Sequence, residues 1–383
     1  MSEGRGNSHH GKKVCMLSSV HSAFDVRIYE KEAKSLAAAG YEVSIIAPHE
    51  KDEEASNVQI KAVPRPQNRR QRMTTTIWEV YRRAEELGAS VYHFHDPELI
   101  PVGLLLKLKG RRVVYDVHED LPRDILDKDW IPPALAKSVA TAGAATELLG
   151  GLLFDGIIAA TPTIATRFPK RKTFTIQNFP RLTSQETRRS RLCASHRHIA
   201  VFIGGITRHR GAGEMVLAMS KLPKRSNAKL AMAGEFDPPD LEAELRALPG
   251  WSQVEYRGWQ PRAKIDTLLS ESTLGLVLFH PFQNYIEAQP NKLFEYMSAG
   301  IPVIASDFPA WRELISTVGC GILVDPLDTQ AIADAIQWIF DHAQEAEEMG
   351  SRGAAAVRSK YNWHNEEHKL LELYARLING HKN

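Results

Sequence analysis

The sequence predicts two doubly wound α/β domains of similar size, facing each other across a cleft. Three observations carry this fold class. The chain has 383 residues, more than one hydrophobic core usually supports. Short apolar strands alternate with amphipathic helical stretches along almost its whole length, the pattern of parallel sheets covered by helices on both faces. The series breaks once, at 181–198 ("RLTSQETRRSRLCASHRH"), where charge is dense and apolar rhythm is absent, so this segment reads as a linker.

Residues 1–11 ("MSEGRGNSHHG") show no periodicity and read as a flexible tail. The first domain, 12–180, begins with "KVCML" as a buried strand. A loop from Ser18 to Asp25 follows, and "VRIYEKEAKSLAAAG" has helical spacing through Ile28, Ala33, Leu36 and Ala37 and stops at Gly40. "YEVSIIAP" is the next strand, which completes a parallel pair with a right-handed crossover. "TTIWEVYRRAEELG" gathers Ile77, Val80, Tyr81, Ala84 and Leu87 on one helical face. "SVYHFHD" (strand), "PELIPVGLLLKLKG" (helix), "RRVVYDVHE" (strand), a helical stretch over 133–150 and "DGIIAAT" (strand) continue the alternation.

The second domain, 199–355, repeats it: strands at "IAVFIGGI", "AKLAMAGE", "QVEYRGW", "LGLVLFHP", "IPVIASD" and "GCGILVD" are separated by helices such as "GAGEMVLAMSKL", "DLEAELRAL", "RAKIDTLLSES" and "NKLFEYMSAG". "TQAIADAIQWIFDHAQ" is helical. Residues 356–383 end the chain with an amphipathic helix over Trp363 to Leu377, expected to pack back toward the first domain. Open α/β sheets bind ligands outside the carboxyl ends of their strands, so functional residues are expected in the loops after strands.

Composition narrows the function classes. A formal charge of +2 gives no global field of the nucleic-acid-binding kind, so no nucleic-acid partner is expected. Cys15, Cys193 and Cys320 form no close pair, which supports neither a disulfide framework nor a zinc site and fits a reducing, cytoplasmic setting. No apolar run reaches the ~18 residues of a spanning helix. "NRRQRMTTTIWEVYRR" sets Arg69, Arg70, Arg72, Arg82 and Arg83 near Trp78 and Tyr81, which fits either a solvated helix face or peripheral contact with anionic lipid.

The most informative stretch is 285–306, "YIEAQPNKLFEYMSAGIPVIAS". Pro290 suits a helix start, and Gly300 with Pro302 ends it, so 291–299 form one short helix. Its first turn exposes the amides of Asn291, Lys292 and Leu293, an anion site suited to a diphosphate. Glu287 precedes this helix and Glu295 lies one turn inside it. Carboxylates accept paired hydroxyl hydrogen bonds, so one is expected on a transferred sugar and the other on a ribose. In "FIGGITRHRGAGEM", Gly204 and Gly205 permit close backbone approach, while Arg208 and Arg210 offer guanidinium forks to phosphate oxygens.

These residues resemble glycosyltransferase family 4, the large retaining family with the GT-B fold of two Rossmann-like domains. The resemblance rests on Glu287 and Glu295 with seven residues between them, on "NKLFEYMSAGIPVIAS", and on the Gly-rich strand end leading to a basic residue before Gly211. It extends over roughly residues 12–375. "SSVHSAFDVRIYEKEAKSLAAAGYEV" and "HFHDPELIPVGLLLKLKGRRVVYDVHEDLP" resemble a subgroup associated with bacterial polysaccharide assembly, with "SSVHSAFD" where the wider family has a glycine-rich loop.

The resemblance implies that His118 contacts the donor sugar at the reaction centre, Glu287 the sugar hydroxyls and Glu295 the ribose. Gly205, Arg208, Arg210, Asn291, Lys292 and Leu293 would complete the donor site. It further implies a nucleotide-sugar substrate, a UDP-sugar ahead of a GDP-sugar, a sugar or lipid-linked acceptor, retention of configuration, and neither cofactor nor metal.

Acceptor contacts are expected from Asp25, Arg27, His95 and Asp96, although an Asp at a helix start also merely caps it. His93, His95, Asp96 and Glu98 hold metal-ligand types, but strand alternation and Pro97 argue against a shared site. "DKDW" at 127–130 imitates an Asp-x-Asp metal motif of a different architecture and reads as chance. The rival readings are a sugar-nucleotide epimerase of the same fold and a natural-product glycosyltransferase; a dehydrogenase lacks its Gly-x-Gly-x-x-Gly after the first strand.

Overall fold

The computed structural model describes residues 12–126, 131–182 and 198–379. The tail 1–11, the "DKDW" motif and most of the 181–198 segment, Cys193 included, lie outside these residues. The chain forms two compact units: Met1–Asn178 with Trp363–Asn383, and Phe179–Asn362.

The first unit holds eight strands: β1 (Lys13–Leu17), β2 (Glu42–Pro48), β3 (Glu53–Ala55), β4 (Val58–Val63), β5 (Val91–Phe94), β6 (Arg112–Val117), β7 (Gly156–Ala159) and β8 (Thr173–Thr175). They lie in the order β3-β4-β2-β1-β5-β6-β7-β8, and every pair except β3–β4 is parallel. β5 is buried along its whole length and β1 everywhere after Lys13, because both faces of a doubly wound sheet are covered. On one face Val14, Met16, Ile45 and Ile158 join an apolar layer; on the other, Leu17, Phe94, Tyr115 and Phe154 join another.

The helix Val26–Ala33 is π-wound and continues as Lys34–Ala38. Asp25 caps it, accepting the amides of Arg27 at 2.7 Å and Ile28 at 3.0 Å. Along it Arg27, Lys31 and Glu32 are buried beside Ile28 and Tyr29.

The second unit holds β9 (Ile199–Ile203), β10 (Lys229–Ala233), β11 (Val254–Gly258), β12 (Leu274–Val277), β13 (Val303–Ser306) and β14 (Gly321–Val324). Their order is β11-β10-β9-β12-β13-β14, all parallel. The order reverses between β9 and β12, and the loops after these strands carry the candidate donor residues.

The last boundary falls between Asn362 and Trp363, not at the expected 355/356, because the helix Ala343–Ser359 belongs to the second unit. The helix Trp363–Asn379 belongs to the first: Trp363 Nε1 donates to Ser35 Oγ at 3.0 Å, and the Tyr374 hydroxyl lies 2.9 Å from His93 Nδ1.

Candidate functional site

In the second unit, glycines bring the strand ends together. β9 is followed by Gly204, whose amide donates to Ala233 O at 2.8 Å; Gly204 has φ 92° and Gly234 φ 158°. A Cβ on Gly234 would stand 2.1 Å from Gly204 O, so this approach of two backbones admits only glycine. Gly211 (φ 73°) opens the Ala212–Lys221 helix, and a Cβ there would stand 2.2 Å from Leu278 O.

Two cations converge on this glycine floor. Arg210 Nη1 donates to Gly205 O at 3.3 Å, and its guanidinium lies over the Phe279 ring at 5.7 Å. The Lys292 side chain is buried, with Nζ 3.5 Å from the Phe202 ring centroid and 3.7 Å from where a Cβ on Gly204 would be. Burial, and then the neighbouring Arg210, pull its pKa well below the ordinary lysine value. Lys292 Nζ, Arg210 Nε and Thr207 Oγ1 are buried and have no hydrogen-bond partner. Buried donors left open in this way favour an anionic ligand.

Arg208 does not join them. Its exposed guanidinium turns to Glu244 and, at 4.0 Å, Asp240, so the expected pair of arginines becomes Arg210 with Lys292. A basic residue in a loop before a helix serves whichever acids lie nearest, and here those are at the start of and on the helix Leu241–Arg246, after β10.

The helix Asn291–Ser298 starts after Pro290 as expected. Leu293 is a correction: its amide donates to Pro290 O at 3.0 Å and its side chain is in the core, which leaves Asn291 and Lys292 at the helix start. Glu295 Oε2 accepts from Arg262 Nη1 at 2.8 Å, so a ribose there would share this carboxylate with Arg262. Glu287 follows the short helix Gln283–Ile286, and Trp311 Nε1 fixes the next residue through Ala288 O at 2.7 Å. One pair escaped the sequence reading: His280 Nε2 lies 3.1 Å from Glu214 Oε2, in the loop after β12.

In the first unit, the expected acceptor residues are mostly enclosed. Arg27, His95 and Asp96 are each under 5% exposed. Asp96 accepts Ser18 Oγ at 2.8 Å and the Ser19 amide at 2.6 Å, holding the loop after β1. Arg27 reaches from its helix to Asp116 at the end of β6, with Nε to Oδ2 at 2.8 Å and Nη2 to Oδ1 at 2.9 Å. These three therefore shape the site from beneath, and Asp25 is a helix cap. The half-exposed groups above are His118 and His21, whose ring centroids are 5.4 Å apart. His21 was not anticipated, although it lies in "SSVHSAFD".

His118 Nε2 lies 3.0 Å from Asp116 Oδ2, and His95 Nδ1 lies 3.2 Å from the same oxygen. Burial opposes the Asp116 charge, but Arg27 and His118 more than offset it and hold the carboxyl well below its usual range. An ionised carboxylate only accepts, so His118 donates Nε2–H inward and presents Nδ1. Asp116 was legible in "YDVHED": alternate strand residues share a face.

Glu32, His93, His95 and Asp116 offer ligand atoms within 4.8 Å of one another, and His93 and His95 do share a face as strand alternation requires. Asp96 and Glu98 point elsewhere, Glu98 to Arg72 at 2.9 Å. The Arg27 guanidinium stands among the four, 3.1 Å from Glu32 Oε1. Burial and then Asp116 push the Glu32 carboxyl well above its usual range, so it keeps its proton and Arg27 balances Asp116. A divalent ion would displace the Glu32 proton and still leave one uncompensated positive charge beside a guanidinium; the donor set fits a neutral buried network better than a metal centre.

Comparison with known proteins bears on the family and the fold. Residues 27–177 match the model of Glycosyltransferase Family 4, and 183–356 match that of Glycosyl transferases group 1. An uncharacterized glycosyltransferase of Methanocaldococcus jannaschii is 27% identical over 177 residues, 45% of this chain and 44% of that protein. The chain thus spans about half the length of the curated relatives it matches. Sucrose-phosphate synthase from Thermosynechococcus elongatus superposes with TM-score 0.78 at 18% identity, covering 96% of this chain and 99% of that one. Anabaena HepE, solved in complex with UDP, superposes with TM-score 0.70 at 14% identity, covering 95% and 99%. With both family models matched in chain order on two parallel-sheet units, the chain belongs to the family 4-like glycosyltransferases of the GT-B fold.

Proposed function

We propose that the protein is a retaining glycosyltransferase that moves a sugar from a nucleoside diphosphate, a UDP-sugar ahead of a GDP-sugar, to a sugar or lipid-linked acceptor in polysaccharide or glycoconjugate biosynthesis. The Phe179–Asn362 unit takes the donor, and the unit bearing His118 takes the acceptor. The observation that carries this reading is the open pair of cations, Lys292 and Arg210, above the Gly204–Gly205 floor. A diphosphate supplies the acceptors they lack, and the UDP held by HepE supports a uridine nucleotide. As the bond to the sugar breaks, negative charge grows on the leaving diphosphate, and both cations stabilise it without reorganising.

The test is a panel of UDP-, GDP- and ADP-sugars. The matching donor should raise the melting temperature, because a ligand that binds only the folded state stabilises it. With acceptor present, the product should keep the donor's anomeric configuration. No stabilisation by any donor overturns the reading, and an altered nucleotide sugar formed without acceptor points to an epimerase. Turnover should survive EDTA, since Arg210 and Lys292 carry the charge a metal would otherwise supply; loss restored by magnesium or manganese contradicts this.

Glu287 and Glu295 should separate by role. Glu295→Ala is expected to weaken free nucleoside diphosphate by ~1.5–3 kcal/mol, the value of a hydrogen bond to a charged group. Glu287→Ala should leave that affinity unchanged and lower turnover, because the product carries no sugar. Calorimetric titration checks both; equal losses would end the division.

A further inference from the structure

The helix Pro133–Leu153 is built inside out. Its 21 residues span roughly 31 Å at 1.5 Å rise per residue. The positions turned toward the protein are small: Ala136 and Ala140 are buried, and a Cβ on Gly143, Gly150 or Gly151 would meet Ile125, Phe154 or Phe168 within 3 Å. The one buried acid, Glu147, is satisfied by the Tyr115 hydroxyl at 2.8 Å and Arg167 at 2.6 Å. The large aliphatic residues point outward. Leu135, Val139, Leu148, Leu149, Leu152 and Leu153 are each between 41 and 59% exposed. A helix apolar all round is ordinarily buried, so this outer face calls for an apolar cover.

Charge identifies the cover. The only exposed charge on the helix is Lys137. At the helix's carboxyl end stands a basic turn, Lys170–Lys172. Lys172 Nζ donates to Leu152 O at 2.7 Å and Phe154 O at 2.6 Å, which anchors the turn beside the exposed leucines. Lys170 and Arg171 are exposed and pair with no carboxylate among the described residues. A second copy of the same face would set basic turn against apolar helix with no acid to meet it, whereas an anionic bilayer offers both acyl chains and negative headgroups. No helix among the described residues is long and apolar enough to cross a membrane, so the contact lies in the plane of the surface.

The stretch around Trp78 competes poorly. Arg82 pairs with Glu79 and Glu86, Arg83 with Asp52, and Arg72 with Glu98, so much of its positive charge is already neutralised.

We propose that the outward face of the Pro133–Leu153 helix, with the Lys170–Lys172 turn, docks the protein on an anionic lipid surface. The test is flotation with phosphatidylglycerol-containing vesicles against pure phosphatidylcholine vesicles, without donor or acceptor, so that its outcome is independent of the transferase reading. The wild-type chain should float with the anionic vesicles and be released as salt rises. Leu148→Glu with Leu152→Glu, and separately Lys170→Glu with Arg171→Glu, should each weaken partitioning on the order of tenfold. Should the leucine pair fail to fold, the charge-reversal pair alone decides. Absence of flotation, equal binding to both vesicle types, or a dimer in sedimentation that the leucine pair converts to monomer would each overturn the proposal.

Discussion

Lys292→Met is expected to make the free protein more stable and to lower kcat/KM by about 10²–10³-fold, the usual cost of removing one charge-stabilising donor from a transition state. Both effects come from one arrangement. The ammonium is buried over Phe202, beside Arg210, with no acceptor. The folded chain therefore bears the cost of a desolvated cation, which methionine of similar length removes. The stability gain has a pH signature. Because the folded pKa is depressed, the unfolded chain binds the proton more tightly. The penalty is then full below the folded pKa and fades as pH rises toward the unfolded value of about 10.4. The methionine variant should thus melt a few degrees higher than wild type near neutrality, with the margin narrowing in alkali. Calorimetric titration with UDP should show the opposite ranking. A variant that binds UDP like wild type would remove Lys292 from the diphosphate site.

This residue also shows where the sequence stopped being informative. Its helix, the preceding Pro290 and the glycines after β9 were readable, because breakers and caps act locally. That Nζ would be left without an acceptor depends on Phe202 and Gly204, which the sheet brings near. Arg208 failed for the same reason: its partners Asp240 and Glu244 belong to the following βα connection.

The fold was largely legible, since strands buried on both faces stand out as apolar runs. The β3–β4 hairpin was not. Its turn is Ser56–Asn57, at φ 50° and 60°, without the glycine that usually marks such a turn, and its strands are half polar. The helix Ala343–Ser359 was missed because Gly350 and Gly353 look like breakers. They are contact points: a Cβ on Gly350 would stand 2.0 Å from Gly300 O. The pairing of Arg27 with Asp116, 89 residues apart, needed the sheet order itself.

Asp116→Asn is expected to lower turnover by on the order of 10²–10⁴-fold with donor KM nearly unchanged, because it disturbs the proton position on His118 without touching the donor cations. Asp116 Oδ2 receives Arg27 Nε at 2.8 Å, His118 Nε2 at 3.0 Å and His95 Nδ1 at 3.2 Å. An asparagine has one accepting oxygen and one donating nitrogen. With its nitrogen in the Oδ2 place, its oxygen keeps Arg27 Nη2, Arg27 Nε has Glu32 Oε1 at 3.1 Å, and the amide faces His118 Nε2, so the imidazole must move its proton to Nδ1, the atom it presents outward. If it turns the other way, two donors meet at Arg27 Nη2. Nitrogen NMR of His118 reads the tautomer directly: wild type should carry the proton on Nε2 and the variant on Nδ1. Arg27→Met supplies the companion measurement. It strips the counter-charge from buried Asp116 and should destabilise the first unit by about 3–5 kcal/mol, read from amide hydrogen exchange in β1, β5 and β6. An asparagine variant with the wild-type tautomer and turnover, or a methionine variant with undiminished protection, would show that His118 is positioned without this network.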